Sequence, residues 1–495
     1  GQWLARVSRM VLRDRNHPSV ILWSLGNESG YGSNHEAAAA WVRSHEPSRP
    51  VHYEGAIRYD WNIGASVTDI LCPMYPEISA IVEFAHSGRL DRPLIMCEYQ
   101  HALGNSNGTL GEYWDAIEST PGLQGGFVWE WRDHGLEQEL PDGSTRWAYG
   151  GDFGEERHDG TYVTDGLNWP DREPKPAMRE ARYLNAPLRV CEVDADTGTI
   201  ELVNRQSFQD LRWLRGRWEL ADEGLVIASG AVELPALGPG QVSTATLQGW
   251  RDPEPQDGER WLTLRFLLAD DEPWAAAGHE IGWDQVPLGG GPVADRSVAA
   301  GDDQLQLDAD GRLVHPLLAT PPALWLWRAG TDNDRASGLT ERWARQGLPD
   351  PTPGPATIVR EGTVVRVTRD VGFGSSVVAH RQVLTPLPGG GVHVAEEADL
   401  PAELDDLPRV GTFLELPPGL VEAEWFGLGP HECYPDRKRS GLVGRWRSAI
   451  DDLFVPYLRP QEAGGRSDVR WIELVDGAGD GVHLRMARPL QVSAN

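Results

Sequence analysis

Two glutamates carry the chemistry that this sequence offers. Glu28 closes the stretch Val-Ile-Leu-Trp-Ser-Leu-Gly-Asn-Glu-Ser over residues 20–29, and Glu98 follows Leu94-Ile95-Met96-Cys97 at once. Each preceding run is short, apolar and rich in β-branched or aromatic residues, which predicts a strand buried on both faces. In parallel α/β folds, chemistry collects where such strands end. The two carboxylates stand 70 residues apart, and about 30 residues per βα unit leaves room for about two units between them. On one barrel both would point into one mouth. A carboxylate pair facing a sugar ring is the equipment of glycoside hydrolysis. A single Glu after a strand is more often a solvated loop residue or a helix-start acid, so the pair carries the reading.

The elements that must position them follow from periodicity. Leu4, Val7 and Val11 recur at helical spacing, so residues 1–16 read as a helix that Pro18 stops. Helices are also predicted over 34–45, 77–87, around Leu110 to Ile117, and over 175–184. Strands are predicted at 20, 51, 69, 94 and 126, the third ending at Tyr75 and the last running into Trp129-Glu130-Trp131. Alternating strands and helices imply a parallel α/β arrangement. Residues 132–174 read as a long loop region.

From Leu188 to about Leu288 the pattern changes to short alternating runs, such as Thr199 to Val203, Arg217 to Leu220 and Trp261 to Phe266. That is the signature of an antiparallel sandwich, immunoglobulin-like in length and spacing. Gly289-Gly290-Gly291-Pro292 reads as a linker. Residues 293–495 are again β-rich, with strands at Val364 to Val367 and Val392 to Ala395.

Bulk properties narrow the class. A chain of 495 residues exceeds one ordinary core, so two to four domains are expected. A formal charge of −29 disfavours nucleic acid and anionic membranes as partners. Cys72, Cys97, Cys191 and Cys433 lack metal-ligand spacing, and Cys72 and Cys97, inside expected strands, read as buried free thiols, as in a reducing cytoplasm. No run of 18 apolar residues occurs, and no leader is visible. The 21 tryptophans fit core packing, with some available to stack on sugar rings.

A colinear set of motifs extends this reading. Arg13-Asp14-Arg15-Asn16-His17-Pro18 precedes Trp23-Ser24-Leu25-Gly26-Asn27-Glu28. Cys72-Pro73-Met74-Tyr75, Cys97-Glu98-Tyr99, His101, Gly104-Asn105-Ser106 and Gly125-Gly126-Phe127-Val128-Trp129 follow. Then come Tyr149 to Gly154, Asp165-Gly166-Leu167, and late in the chain Gly427-Leu428-Gly429-Pro430-His431-Glu432-Cys433-Tyr434-Pro435-Asp436-Arg437. The sequence resembles glycoside hydrolase family 2, specifically its large bacterial β-galactosidases, from about residue 10 to about residue 470.

The resemblance implies a multidomain α/β plus all-β protein. Residues 1–188 would be strands four to eight of a (β/α)8 TIM barrel, 189–288 an immunoglobulin-like β-sandwich, and 293–495 a large, truncated β-sandwich. It implies a fragment without the family's N-terminal domains, expected to be inactive alone. It implies retaining cleavage of terminal β-D-galactosides such as lactose, with Glu98 as nucleophile and Glu28 as general acid and then base. Asn27, Tyr75, Glu98, Tyr99, Gln100, His101, Trp129 and Asp165 would meet the substrate. Tyr75 would position Glu98, Asn27 would reach the 2-hydroxyl, and Trp129 would stack beneath the ring. Magnesium would take Glu28, and sodium the Tyr162 carbonyl with Asp165, both sites being incomplete within this chain. Here Tyr162 and Asp165 stand where the family has Phe and Asn. A cytoplasmic homo-oligomer, a tetramer by resemblance, is the implied assembly. Another family 2 specificity, β-glucuronidase or β-mannosidase, stays open, as does an inactive carbohydrate-binding segment.

Overall fold

A computed structural model describes residues 1–251, 258–290 and 300–494 of the chain. The described chain divides into two compact units, residues 1–184 and 185–495.

The first unit alternates helices and strands: α1 (Gln2–Asp14), β1 (Trp23–Ser24), α2 (Ser33–His45), β2 (Val51–His52), α3 (Ile78–His86), β3 (Leu94–Tyr99), α4 (Leu110–Ser119), β4 (Leu123–Val128), β5 (Leu136–Glu139), β6 (Thr145–Ala148) and α5 (Pro176–Leu184). Each βα helix turns a narrow apolar stripe inward, as with Val7 and Val11 of α1 and Ala38, Ala39 and Val42 of α2. Trp23 and Val51 join that cluster, and Leu71, Leu94, Met96 and Leu123 form the other.

The parallel wall runs in chain order. β1 pairs with β2 in parallel, and β3 with β4. Between them lies the stretch 69–75, expected as a strand. Asp69 N–H donates to Val51 O at 2.7 Å, and parallel bridges join Leu71 to Leu94 and Met74 to Glu98. This stretch occupies the strand position without a continuous ladder, because Pro73 has no N–H to donate. The expected strand from Val20 contracts to Trp23–Ser24, which has a partner only on the β2 side among the described residues. The expected loop region after 131 contains a hairpin, β5 against β6.

The second unit begins with two antiparallel sheets around one core. β7 (Leu188–Asp194), β8 (Thr199–Asn204) and β11 (Val242–Thr246) form one sheet. β9 (Leu214–Asp222), β10 (Leu225–Val232), β12 (Arg260–Leu268) and β13 (Glu280–Pro287) form the other. Ile200 and Leu202 from the first meet Trp218, Leu262 and Phe266 from the second. The burial alternates along β8 and over most of β9, as the period of two demands. Gly289 and Gly290 are not a free linker. Gly289 O accepts from Arg260 N–H at 3.1 Å, and a Cβ on Gly290 would stand 1.9 Å from Gly258 O. Gly291 and Pro292 of that expected linker lie outside the described residues.

Residues 300–494 are dominated by long antiparallel strand pairs, including Val364–Phe373 with Ser376–Pro386 and Leu420–Gly429 with Arg466–Asp476. The late Gly427 to Arg437 motif is structural at its heart. Buried Glu432 accepts from Arg437 Nη2 and the Tyr457 hydroxyl, each at 2.7 Å, and from Gly464 N–H at 2.6 Å. All four cysteines are free thiols. Among the described residues no helix is long and apolar enough to cross a membrane.

Candidate active site

The site is built where the parallel wall of the first unit ends. Three non-glycine residues at or just past the ends of strand positions in the wall hold positive φ: Glu28 at 48°, Tyr75 at 45° and Gln100 at 54°. Such conformations are uncommon for residues with a Cβ and gather at functional sites, where surrounding contacts hold them.

Glu28 is solvent-exposed. Its backbone N–H donates to Glu54 Oε1 at 2.6 Å, and Glu54 is itself 6% exposed. Glu98 is half-buried on β3, and its carboxylate meets the Tyr75 hydroxyl. The backbones lock the pair, since Tyr75 N–H donates to Glu98 O at 2.9 Å. Burial pushes the Glu98 carboxyl above the usual carboxylate range; the Tyr75 bond and His101 oppose that, while Glu28 and Glu54 add to it. The field of Glu28 therefore reaches Glu98. Burial and the Glu98 anion also raise the Tyr75 hydroxyl, which keeps its proton as a donor.

A second set of contacts continues from Tyr75. Its ring lies edge-on to His101 at 6.0 Å, and His101 faces Tyr162 at 5.9 Å. His101 Nε2 stands 3.4 Å from Asp165 Oδ2, which also accepts from Trp129 Nε1 at 3.0 Å. Asp165 is 1% exposed, so its charge is spent on these partners. The segment bearing it is anchored by Asp133, which accepts from Gly166 N–H at 2.8 Å and pairs with buried Lys175 at 2.7 Å.

Two expected contacts change. Tyr99 is 2% exposed and edge-on to Tyr113 at 5.5 Å, so it packs β3 against α4. The register shift between Met96 and Tyr99 accompanies that placement. Gln100 turns its amide to Thr109 Oγ1 at 3.3 Å, and its carbonyl accepts from Asn107 Nδ2 at 2.6 Å. Asn27 is exposed beside Glu28.

Sequence reading assigned no role to Glu54 or Glu130. Both follow strands, the signal that singled out Glu28 and Glu98. Glu130 lies against Asp165. Burial and the Asp165 anion push its carboxyl up to about 7. At Asp165 burial acts upward, but hydrogen bonds from His101 and Glu130 outweigh it and hold the group low. The two carboxylates thus share a proton that rests on Glu130.

An unfolded Glu titrates near about 4.3. The folded chain holds the Glu130 proton more tightly, so the resulting stability is present below about pH 4.3 and is lost as pH rises through about 7. The melting temperature should fall more steeply between pH about 5 and about 8 in the wild type than in Glu130→Gln, which keeps a donor towards Asp165. Thermal unfolding across that range checks this; identical slopes would refute it.

Among the described residues no three His, Cys, Asp or Glu side chains converge as a metal site. Glu28 offers one exposed carboxylate, which is not by itself a cation site. Asp165 Oδ1 is buried without a hydrogen-bond donor of ordinary protonation. Such an oxygen suits either the proton on Glu130 or a cation.

A parallel βα wall with carboxylates at its strand exits defines a TIM-barrel site. The family described as Glycosyl hydrolases family 2, TIM barrel domain, matches residues 2–190. Beta-galactosidase, domain 4 matches 200–289, and Beta galactosidase small chain matches 305–495. The β-galactosidase of Aeromonas hydrophila subsp. hydrophila is 35% identical, the match covering 95% of this chain and 50% of that protein. β-Galactosidase 2 of Enterobacter cloacae is 34% identical over 96% of this chain and 50% of its own length. The β-galactosidase of Arthrobacter sp. strain B7 is 34% identical over 96% and 51%. The chain belongs to glycoside hydrolase family 2, with a TIM-barrel domain followed by β-rich domains. It spans about half the length of the curated relatives it matches.

Proposed function

We propose that the protein carrying residues 1–495 is a retaining glycosidase that releases terminal β-D-galactose, with Glu98 as nucleophile and Glu28 as acid and base. One arrangement carries this: Tyr75 N–H donates to Glu98 O at 2.9 Å, so the half-buried Glu98 carboxyl stands beside Tyr75 at one end of the parallel wall, with Glu28 past another strand of the same wall. The galactoside preference rests on the names of the relatives.

In the free site burial raises the Glu98 carboxyl while Tyr75 and His101 oppose that, so the two glutamates compete for one proton. A sugar docked over exposed Glu28 strips water from that carboxylate and raises its proton affinity. The proton then resides on Glu28, and Glu98 attacks the anomeric carbon as an anion while Tyr75 keeps its donor bond. Proton transfer from Glu28 releases the aglycone. Esterified Glu98 has lost its charge, so Glu28 becomes a better acid, stays ionised and accepts a proton from water. Trp129 and His101, both tied to Asp165, form the wall that orients the ring.

Magnesium at Glu28, and sodium at the Tyr162 carbonyl with Asp165, remain part of the proposal; bound there, each would add positive charge beside an anionic site. The seven strands of residues 188–287 would be the immunoglobulin-like sandwich, residues 300–494 the large sandwich, and the assembled form a cytoplasmic homo-oligomer.

Steady-state turnover of nitrophenyl β-D-galactoside, β-D-glucuronide and β-D-mannoside by the whole protein that carries these residues tests the assignment. The galactoside should lead in kcat/KM by at least about a hundredfold, the discrimination that polar contacts to one hydroxyl supply. Preference for the glucuronide or mannoside would replace the substrate while leaving the carboxylate roles in place. Turnover of none would remove the enzymatic reading.

A further inference from the structure

The seven-stranded part of the second unit carries a cavity of about 710 Å³ at one end of its sheets. Three segments wall it: Pro187 ahead of β7, the β8–β9 loop from Gln206 to Trp213, and the β12–β13 loop bearing Glu272 and Trp274. Phe208 is 95% exposed and Trp274 61% exposed, and Trp213 adds a third ring. We propose that this cavity is a second saccharide site, outside the barrel, that takes one or two neutral pyranose units.

The lining fits that chemistry on three counts. Flat aromatic faces match the apolar C–H face of a pyranose. Trp213 Nε1 and Gln206 Nε2 are shielded from solvent, and neither has a hydrogen-bond partner among the described residues. Sugar hydroxyls would donate to Asp210 and Glu272 in the lining, and reaching the two shielded nitrogens would need the Gln206 and Trp213 side chains to shift. Arg212 is already paired to Asp210 at 2.6 Å, so the rim is net negative and disfavours phosphates and carboxylates. The volume lies within the about 300–1,000 Å³ of small-ligand pockets.

The walls are also preformed, which reduces the ordering cost of binding. Buried Asn204 donates to Gln209 O at 2.8 Å and accepts from Gln206 N–H at 2.9 Å. Arg205 N–H reaches Pro187 O at 2.8 Å, and Ala269 N–H reaches Trp213 O at 3.0 Å. Glu272 and Ala275 exchange backbone bonds at 2.9 and 3.2 Å around Trp274, whose ring stands edge-on to His279 at 6.0 Å.

Fluorine NMR of the whole chain labelled with 5-fluorotryptophan tests this, with lactose and cellobiose as probes and Trp274→Phe assigning the resonance. Saturable shifts of the Trp274 and Trp213 signals are expected, with a Kd on the order of millimolar. Trp274→Ala should weaken the shift at Trp213 by about tenfold, one lost stacking face, while Trp274→Phe retains binding. Phe208→Ala, at a still more exposed position, should also weaken it. The Glu28→Gln/Glu98→Gln double variant should leave these shifts in place, so failure of the barrel reading is separable from failure here. No response at Trp274 up to about 50 mM of either sugar, or a response only to a proline-rich peptide, would overturn the proposal.

Discussion

Glu98→Gln should lower turnover of nitrophenyl β-D-galactoside by at least about 10³-fold. The amide has nearly the shape of the carboxylate and still accepts from the Tyr75 hydroxyl. What it lacks is the anion that forms the bond to the anomeric carbon. Tm should change little, because the amide fills the same half-buried space. A 2-deoxy-2-fluoro galactosyl fluoride slows the second step more than the first, so the ester should accumulate on the wild-type enzyme. Peptide mass mapping should place the label on Glu98. Label on another residue, or Glu98→Gln retaining a tenth or so of wild-type turnover, would remove Glu98 from the nucleophile role.

Glu28→Ala should have an effect that depends on the leaving group. For lactose the departing sugar oxygen needs a proton, and kcat/KM should fall by about 10²–10⁴-fold. A dinitrophenolate leaves without one, so kcat/KM for dinitrophenyl β-D-galactoside should fall by less than about tenfold. Its second step still lacks a base, so kcat falls and the glycosyl-enzyme accumulates. Azide needs no base; entering the space beside exposed Glu28, it should restore turnover and yield β-galactosyl azide. Equal losses for both substrates with no azide product would show that Glu28 is not the proton donor. Chemistry, rather than folding, is then the readout, since Glu28 packs against no core cluster.

The two substitutions also separate the two carboxylates by environment. Both follow apolar strands, yet Glu98 is half-buried under Tyr75 and Glu28 is open to solvent. A nucleophile needs a fixed approach and little competition from water. An acid that later serves as base must be reached by water. The exposure difference matches that division.

Much of this was legible in the chain. The 3.6-residue apolar spacing located α1 to α5, and the apolar runs located the wall from Trp23 to Val128. Local periodicity suffices there because each element meets its neighbour in sequence order. Glu28 and Glu98 were visible as acids at strand exits. Tertiary structure decided the rest. Whether Tyr99 faces a ligand or α4 depends on a register shift that no periodicity records. The tie of Trp129 to Asp165 joins residues 36 apart, and that of Glu28 to Glu54 joins residues 26 apart. Gly289 and Gly290 resembled a linker because composition cannot reveal that Gly258 packs against Gly290. The sequence by itself determined which residue types reach the ends of the wall, since that depends on order along one strand. Only the fold decided which of them share a proton, a hydroxyl or a buried charge, since those energies depend on distance and exclusion of water between segments far apart in the chain.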